Sequence, residues 1–368
     1  MTNIKVPIYK PDLTGNEMKY VSECINSSWI SSRGKFVSEF EKSFSNAVKV
    51  EHATSVCNGT VALHLALVAL GIGPGDEVIV PTLTYIASVN AIVYCGAKPI
   101  FVDSSSETWQ IDPDSVIDKI TPNTKAIMAV HLYGQACDMD ALLNIAKKHK
   151  LFLVEDCAEA FGTYYKNKHV GTFGNISTFS FFGNKTITTG EGGMVVSNDK
   201  TLIERARHFK GQGLAEHRQY WHDVVGYNYR MTNIQAAIGL AQLERSANFI
   251  SRKREIADLY KNLLSSLPLD VHREALQTVH SYWMTSILLE DPNLREPLRE
   301  KLSSAGIETR PLFYPVHTMP MYAKSYERFP VAESLAWRGI NLPSYPGLSN
   351  EQVDYVCQKI NSFFKDLN

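Results

Sequence analysis

Residues 75–103 read GDEVIVPTLTYIASVNAIVYCGAKPIFVD. An apolar, β-branched run at Glu77–Pro81 is followed by a helical stretch at Tyr85–Tyr94 and a second strand-like run at Pro99–Asp103. Strands that alternate with helices of this length imply right-handed crossovers and a mainly parallel sheet covered on both faces. The same alternation extends outward from about Ala53 to Asn198, with runs at Ala126–Leu132, Leu151–Asp156, Ser177–Phe182 and Met194–Ser197. Between them, helices are predicted near Asn58–Leu70, Asp112–Ile120 and Met139–His149. Segments such as IMAV (127–130) and LFLV (151–154) suit strands buried on both sides. From Thr172 to Asn198 two strand-like runs follow each other with no helix between, which predicts an antiparallel strand in the sheet.

After Tyr229 the texture changes. One long amphipathic helix is predicted over about Thr232–Leu264, then a strand at Tyr282–Leu289, a helix near Leu294–Ala305 and a strand-like Glu308–Tyr314. A Pro-broken loop leads to Tyr345, and a last helix opens at Ser349 with Gln352 three residues on, an S-x-x-Q capping box. The expectation is a large α/β domain over residues 1–245 and a smaller α+β domain over 246–368. The 368 residues carry 37 basic and 38 acidic side chains, a net charge of −1, which argues against a nucleic-acid binder or a polybasic membrane binder. The start has no basic-then-apolar leader pattern, and no apolar run reaches the roughly 20 residues of a spanning helix. Six scattered cysteines with no C-x-x-C pair read as reduced thiols, so a cytoplasmic enzyme is expected.

Several motifs are set aside. Gly71-Ile-Gly-Pro-Gly75 follows a helix instead of opening one and reads as a helix end and turn. No phosphate-binding G-x-x-x-x-G-K-[ST], no H-E-x-x-H and no G-x-S-x-G occurs, and His217 and His222 stand without further metal-ligand spacing, so no metal is expected. Four other segments place polar groups where an open α/β sheet binds ligands, at strand carboxyl ends and helix starts. Asn58-Gly59-Thr60 opens an apolar helix, where free N–H groups suit a phosphate; a plain helix cap explains it equally. Glu155-Asp156-Cys157-Ala158-Glu159 ends a buried strand, where an acid must face a cation or strong hydrogen-bond donors. Lys185 follows the aromatic run Ser177–Phe182 and precedes a glycine-dense turn; it is either a solvated loop lysine or a desolvated amine nucleophile. Gly226–Asn233 leads into the long helix and reads as a cap by itself. Taken together, an acid for a pyridine nitrogen, an amine for an imine and a helix start for a phosphate are the apparatus for pyridoxal 5′-phosphate (PLP).

In order, CNGTVALHLAL, DEVIVPTLTYIASVNAI, VHLYG, VEDCAEAFG, FSFFGNKTITTGEGG, GYNYRMTNIQAAIG and RPLFYPVHTMPMY resemble the DegT/DnrJ/EryC1/StrS family of PLP-dependent nucleotide-sugar aminotransferases. The resemblance implies the type I, aspartate aminotransferase-like PLP-dependent transferase fold. It makes Lys185 the Schiff-base lysine and proton carrier, and Asp156 the acid paired with the pyridinium nitrogen. Tyr85 would stack on one face of the cofactor ring and Ala158 pack on the other. Glu159 stands where most of the family has glutamine near the ring hydroxyl. Gly59, Thr60 and Ser180 would hold the phosphate, with Asn228 reaching across from a second subunit, which implies a homodimer with shared active sites. Arg230, Tyr314, His317 and Tyr322 would contact substrate, although His317 and Arg230 suit structural roles as well, and His131 reads as structural. The stretches TYIASVNAI, FSFFGNKTITTGEGGMV, RQYWHD and RGINLPS resemble the branch that moves the amino group of L-glutamate to carbon 4 of a GDP-linked 4-keto-6-deoxy sugar for O-antigen synthesis. A UDP- or dTDP-sugar acceptor, or a catalytically silent PLP-binding regulator, are the alternatives.

Overall fold

The computed structural model, which describes residues 5–323 and 327–367, gathers the predicted runs into one sheet. Its spatial order is His52–Val56, Gly193–Ser197, Ile176–Ser180, Phe152–Asp156, Thr124–Val130, Glu77–Pro81, Lys98–Val102. From Ile176–Ser180 outward to Lys98–Val102 all neighbours are parallel. Gly193–Ser197 is the expected antiparallel strand, and His52–Val56 pairs antiparallel beyond it. This last strand has no counterpart in the sequence reading, because HATSV is short and half polar; it lies at the edge, where the pattern of a doubly buried strand is not required.

Both faces are covered. On one, Phe40 and Phe44 of the helix Lys35–Val48 meet Phe179 and Phe181, with ring centroids 5.0 Å apart for Phe44–Phe179 and 5.2 Å for Phe40–Phe181. On the other, the helices Gly59–Leu70 and Ile86–Tyr94 bury leucine, valine and alanine against Val78 and Val80. The first of these helices stops at Gly71, whose φ of 82° is the left-handed helix end that glycine adopts without strain.

The single helix expected over Thr232–Leu264 is two, Asn233–Glu244 and Ser246–Leu263. The chain bends at Arg245 (φ −109°), whose guanidinium grips both carboxylate oxygens of Asp12 at 2.9 and 3.0 Å. A second, antiparallel sheet runs in the order Leu269–Val271, Thr285–Leu289, Gly339–Leu342, Arg310–Pro311. The strand-like stretch 308–314 shrinks to Arg310–Pro311, because Pro311 and Pro315 donate no ladder hydrogen bond. The capping box at Ser349 and Gln352 forms, at 3.0 and 3.2 Å. Val6 bridges Ile307 and shares its apolar cluster, so the start of the chain packs on this second sheet.

Candidate active site

At the carboxyl ends of the parallel strands lies a cavity of about 580 Å³. Asn58, Gly59, Thr60 and Ser180 line one part of it; Asp156, Ala158, Glu159, Lys185 and Tyr85 line the rest, joined by Trp283 and Phe313 from the loops beside the second-sheet strands Thr285–Leu289 and Arg310–Pro311.

The helix start at its wall is built for an anion. Asn58 caps the helix by accepting the Val61 N–H at 3.0 Å. The N–H groups of Gly59 and Thr60 make no hydrogen bond among the described residues. They stand at the positive end of the helix, where free N–H groups favour a phosphate. A Cβ at Gly59 would lie 2.7 Å from Ser180 Cβ, so only glycine lets the serine hydroxyl approach this closely.

Asp156 and Glu155 end the central strand, and strand alternation sends them to opposite faces. Asp156 is 4% exposed. It accepts hydrogen bonds from Ser88 Oγ at 2.7 Å and from the Ala158 N–H at 3.0 Å, while Thr84 Oγ1 lies 3.0 Å from the serine. Its remaining lone pairs are free to accept a protonated ring nitrogen. Glu155 points the other way and accepts from the N–H groups of Gly171 (2.7 Å), Phe173 (2.8 Å) and Gly174 (2.7 Å), from Ser177 Oγ (3.2 Å) and from His131 Nε2 (3.1 Å). Burial pushes this carboxyl up, but the His131 hydrogen bond and the backbone N–H groups outweigh it and hold Glu155 below its ordinary range. His131 Nδ1 accepts the Cys137 N–H at 3.1 Å, which assigns the proton to Nε2. His131, Glu155 and Cys157 could be taken for a metal group, since their ligand atoms lie within 4.8 Å. Both imidazole nitrogens and the carboxylate are already engaged, and Glu155, held by His131, instead ties the 171–174 turn to the sheet.

Lys185 reaches into the cavity with its side chain 13% exposed. Its Nζ lies 3.6 Å from Glu159 Oε1 and 4.0 Å from the centroid of the Trp283 ring. Burial lowers the amine below the usual lysine range, and the charges of Glu159 and Asp156 only partly restore it. Burial likewise pushes the Glu159 carboxyl up to about 7, against the charge of Lys185 and the Tyr133 N–H, which donates to Oε2 at 2.8 Å. Neighbouring groups pulled toward neutrality from both sides are what proton transfer near pH 7 requires.

The remaining expected residues lie elsewhere. Asn228 and Arg230 are exposed, with the Asn228 amide oxygen accepting from the Arg230 guanidinium at 3.1 Å. Tyr314 packs on Trp337, and Tyr322 donates to Asn90 at 2.6 Å. His317 is held by Thr82 Oγ1 at 2.7 Å and Glu333 at 3.4 Å. These five do not line the cavity of their own chain. Conversely, Thr84, Ser88, Trp283, Phe313 and Arg310 line it without having been singled out. The i, i+4 pair Thr84 and Ser88 at a helix start is a readable signal; the aromatic residues lie 98 and 128 positions beyond Lys185 and give none.

Unpaired helix N–H groups beside a serine that glycine admits, a carboxylate with spare acceptor capacity and a desolvated amine on one cavity fit PLP, and they define a PLP-dependent enzyme of the type I transferase fold. The chain belongs to the DegT/DnrJ/EryC1/StrS aminotransferase family, whose model matches residues 11–361. It is 65% identical over 361 residues to a protein of Escherichia coli O157:H7 named GDP-perosamine synthase, covering 98% of this chain and 99% of that one. A Vibrio cholerae protein of the same name is 54% identical over 363 residues, covering 98% and 99%. Among solved structures, the aminotransferase TlmJ of Streptoalloteichus hindustanus superposes with a TM-score of 0.94 at 30% identity, covering 98% of this chain and 99% of that one. The protein is therefore a PLP-dependent aminotransferase.

Two outcomes test this geometry. Gly59→Ala forces the Ser180 side chain away from the helix start, so the variant should lose bound PLP on dialysis while its circular dichroism stays unchanged; full retention contradicts the cradle. Glu159 is protonated more readily folded than unfolded, so its contribution to stability falls as pH rises from the ordinary carboxylate range through about 7. In the cofactor-free protein, Glu159→Gln should gain in melting temperature over wild type between pH 5 and pH 8 (roughly the window of that titration), and a pH-independent difference refutes the assignment.

Proposed function

We propose that the chain transfers the amino group of L-glutamate to carbon 4 of GDP-4-keto-6-deoxy-D-mannose, giving GDP-perosamine for lipopolysaccharide O-antigen synthesis. The observation that carries this reading is near-complete coverage at 65% identity to a protein named GDP-perosamine synthase. PLP, when bound, supplies the electron sink that both half-reactions need. The chain's own residues do the rest. Gly59, Thr60 and Ser180 bind the phosphate, and Asp156, oriented by Ser88 and Ala158, holds a proton on the ring nitrogen. Lys185 Nζ takes a proton from the donor carbon and returns one to the sugar carbon. Glu159, in its protonated form, donates toward the ring hydroxyl without repelling it, and Tyr85 and Ala158 close the two faces.

The same reading makes the enzyme a cytoplasmic homodimer with shared sites. Tyr85, Tyr94 and Phe182 line the cavity yet are 56%, 59% and 47% exposed, an apolar rim suited to burial against a second copy. In such a dimer the exposed Asn228 of the partner subunit completes the phosphate site, and Arg230, Tyr314, His317 and Tyr322 flank the substrate entrance.

A panel of GDP-, UDP- and dTDP-4-keto-6-deoxy sugars with glutamate, scored by mass spectrometry, should yield an amino sugar chiefly from the GDP compound; preference for UDP or dTDP overturns the substrate. Lys185→Ala should lose the visible band of bound cofactor and about 10²–10⁴-fold in turnover. An unchanged spectrum refutes the lysine's role. Mixing inactive Lys185→Ala with inactive Asn228→Ala chains should restore about a quarter of wild-type turnover, because half the dimers then carry one intact shared site. No recovery contradicts sharing.

A further inference from the structure

We propose that the indole face of Trp283 is the seat of the Lys185 ammonium whenever that amine is free, which makes Trp283 a positioning residue for the lysine's proton-carrying state. The inference rests on the reading of Lys185 as the amine that attaches and detaches during transfer.

The geometry is specific. Nζ lies 4.0 Å from the Trp283 ring centroid, well inside the distance at which the negative face of an aromatic ring attracts a cation. No hydrogen bond holds Nζ among the described residues, and the nearest carboxylate oxygen, on Glu159, is 3.6 Å away. Glu159 cannot serve as a permanent counter-ion, because burial keeps its carboxyl protonated up to about 7. The ring, by contrast, attracts the ammonium equally at every pH.

Trp283 is also fixed. It is 4% exposed. Its Nε1–H donates to the Asn184 carbonyl at 2.7 Å, the residue directly before Lys185. Tyr9 Oη donates to the Lys185 carbonyl itself, so the peptide groups on both sides of the lysine are tied down. Tyr133 stacks beside the indole at 6.2 Å with planes 6° apart, and Phe313 lies 6.4 Å away. Behind it, Gly134 (φ 97°) passes so close that a Cβ there would sit 3.0 Å from the Trp283 backbone nitrogen. Ring and lysine thus keep one register. A lysine that must accept a proton and then return to a covalent bond needs a seat that favours the cation without trapping it. A carboxylate at hydrogen-bond distance would hold the ammonium tightly; a π face in a desolvated cavity favours it by a smaller amount and offers no proton acceptor.

The test replaces Trp283 alone with mono-, di-, tri- and tetrafluorotryptophan by site-directed incorporation, which drains the ring's π charge stepwise while preserving its shape. Competitive acetylation with acetic anhydride, read by peptide mass spectrometry, gives the titration midpoint of the Lys185 amine in the full chain, both without cofactor and with PLP converted by glutamate to its amino form. The midpoint should fall with each fluorine, by about one pH unit in total. Lys261, which faces Tyr282 instead, should not move. A Lys185 midpoint independent of fluorine content overturns the proposal. Trp283→Phe keeps a face and loses the N–H, whereas Trp283→Leu loses both; a larger shift in Leu than in Phe supports the π seat, and equal shifts assign the effect to the lost Asn184 hydrogen bond. Because the amine is titrated without cofactor as well, failure of PLP to attach would sink the functional reading and leave this measurement standing.

Discussion

The site depends on how one strand ends. Phe152–Asp156 is buried on both faces, and its last two residues are acids that alternation aims in opposite directions. An isolated buried carboxylate is prohibitive, so each needs its own set of donors. Glu155 finds three backbone N–H groups, a serine and a histidine on one face; Asp156 finds a serine and a single N–H on the other. The difference in saturation separates their roles. The acid with five donors is part of the framework, and the acid with two has acceptor capacity left for a ligand. Loss of the Glu155 network would release the 171–174 turn and with it the strand register that aims Asp156.

Inside the cavity the balance of charge is set by burial more than by pairing. Lys185 and Glu159 are 3.6 Å apart, and at that distance a solvated pair would be fully ionised. Here desolvation lowers the amine and raises the acid, moving both toward their neutral forms. A glutamine at position 159 would donate a hydrogen bond at every pH. Glutamate donates only while protonated, which couples the electrostatics of the lysine to the acid beside it.

Much of this was legible in the chain because its signals are local. Apolar β-branched runs marked Glu77–Pro81 within the sheet, and an acid, a lysine and a helix start fall at strand ends or just beyond them, where ligands bind. What was not legible is tertiary. The helix break at Arg245 exists because of Asp12, more than 200 residues away, and no periodicity in 232–264 reports it. The strand His52–Val56 is specified by the edge it covers and not by its own apolarity. Asn228, Arg230, Tyr314, His317 and Tyr322 do not line the cavity of their own chain, and the local motifs that carry them do not report that separation.

The second sheet contributes little to the anion cradle and much to the lysine. Trp283 and Phe313 enter the cavity from the loops that flank its strands, and Tyr9 crosses from the first stretch of the chain to bond the Lys185 carbonyl. Tyr133, in the left-handed region at φ 57°, is the join between the two halves. Its N–H donates to Glu159, its ring stacks against Trp283 and Phe313, and its hydroxyl accepts the Phe313 N–H at 2.8 Å. A non-glycine residue holds that conformation at a cost of about 1–3 kcal/mol. The aromatic contacts and two hydrogen bonds offset the cost, and the strained turn in return aims one N–H at Glu159, the acid beside the lysine. The end of the cavity formed by the helix start and Asp156 is thus a property of the parallel sheet, and the end formed by Lys185, Glu159 and Trp283 is a property of its junction with the second sheet.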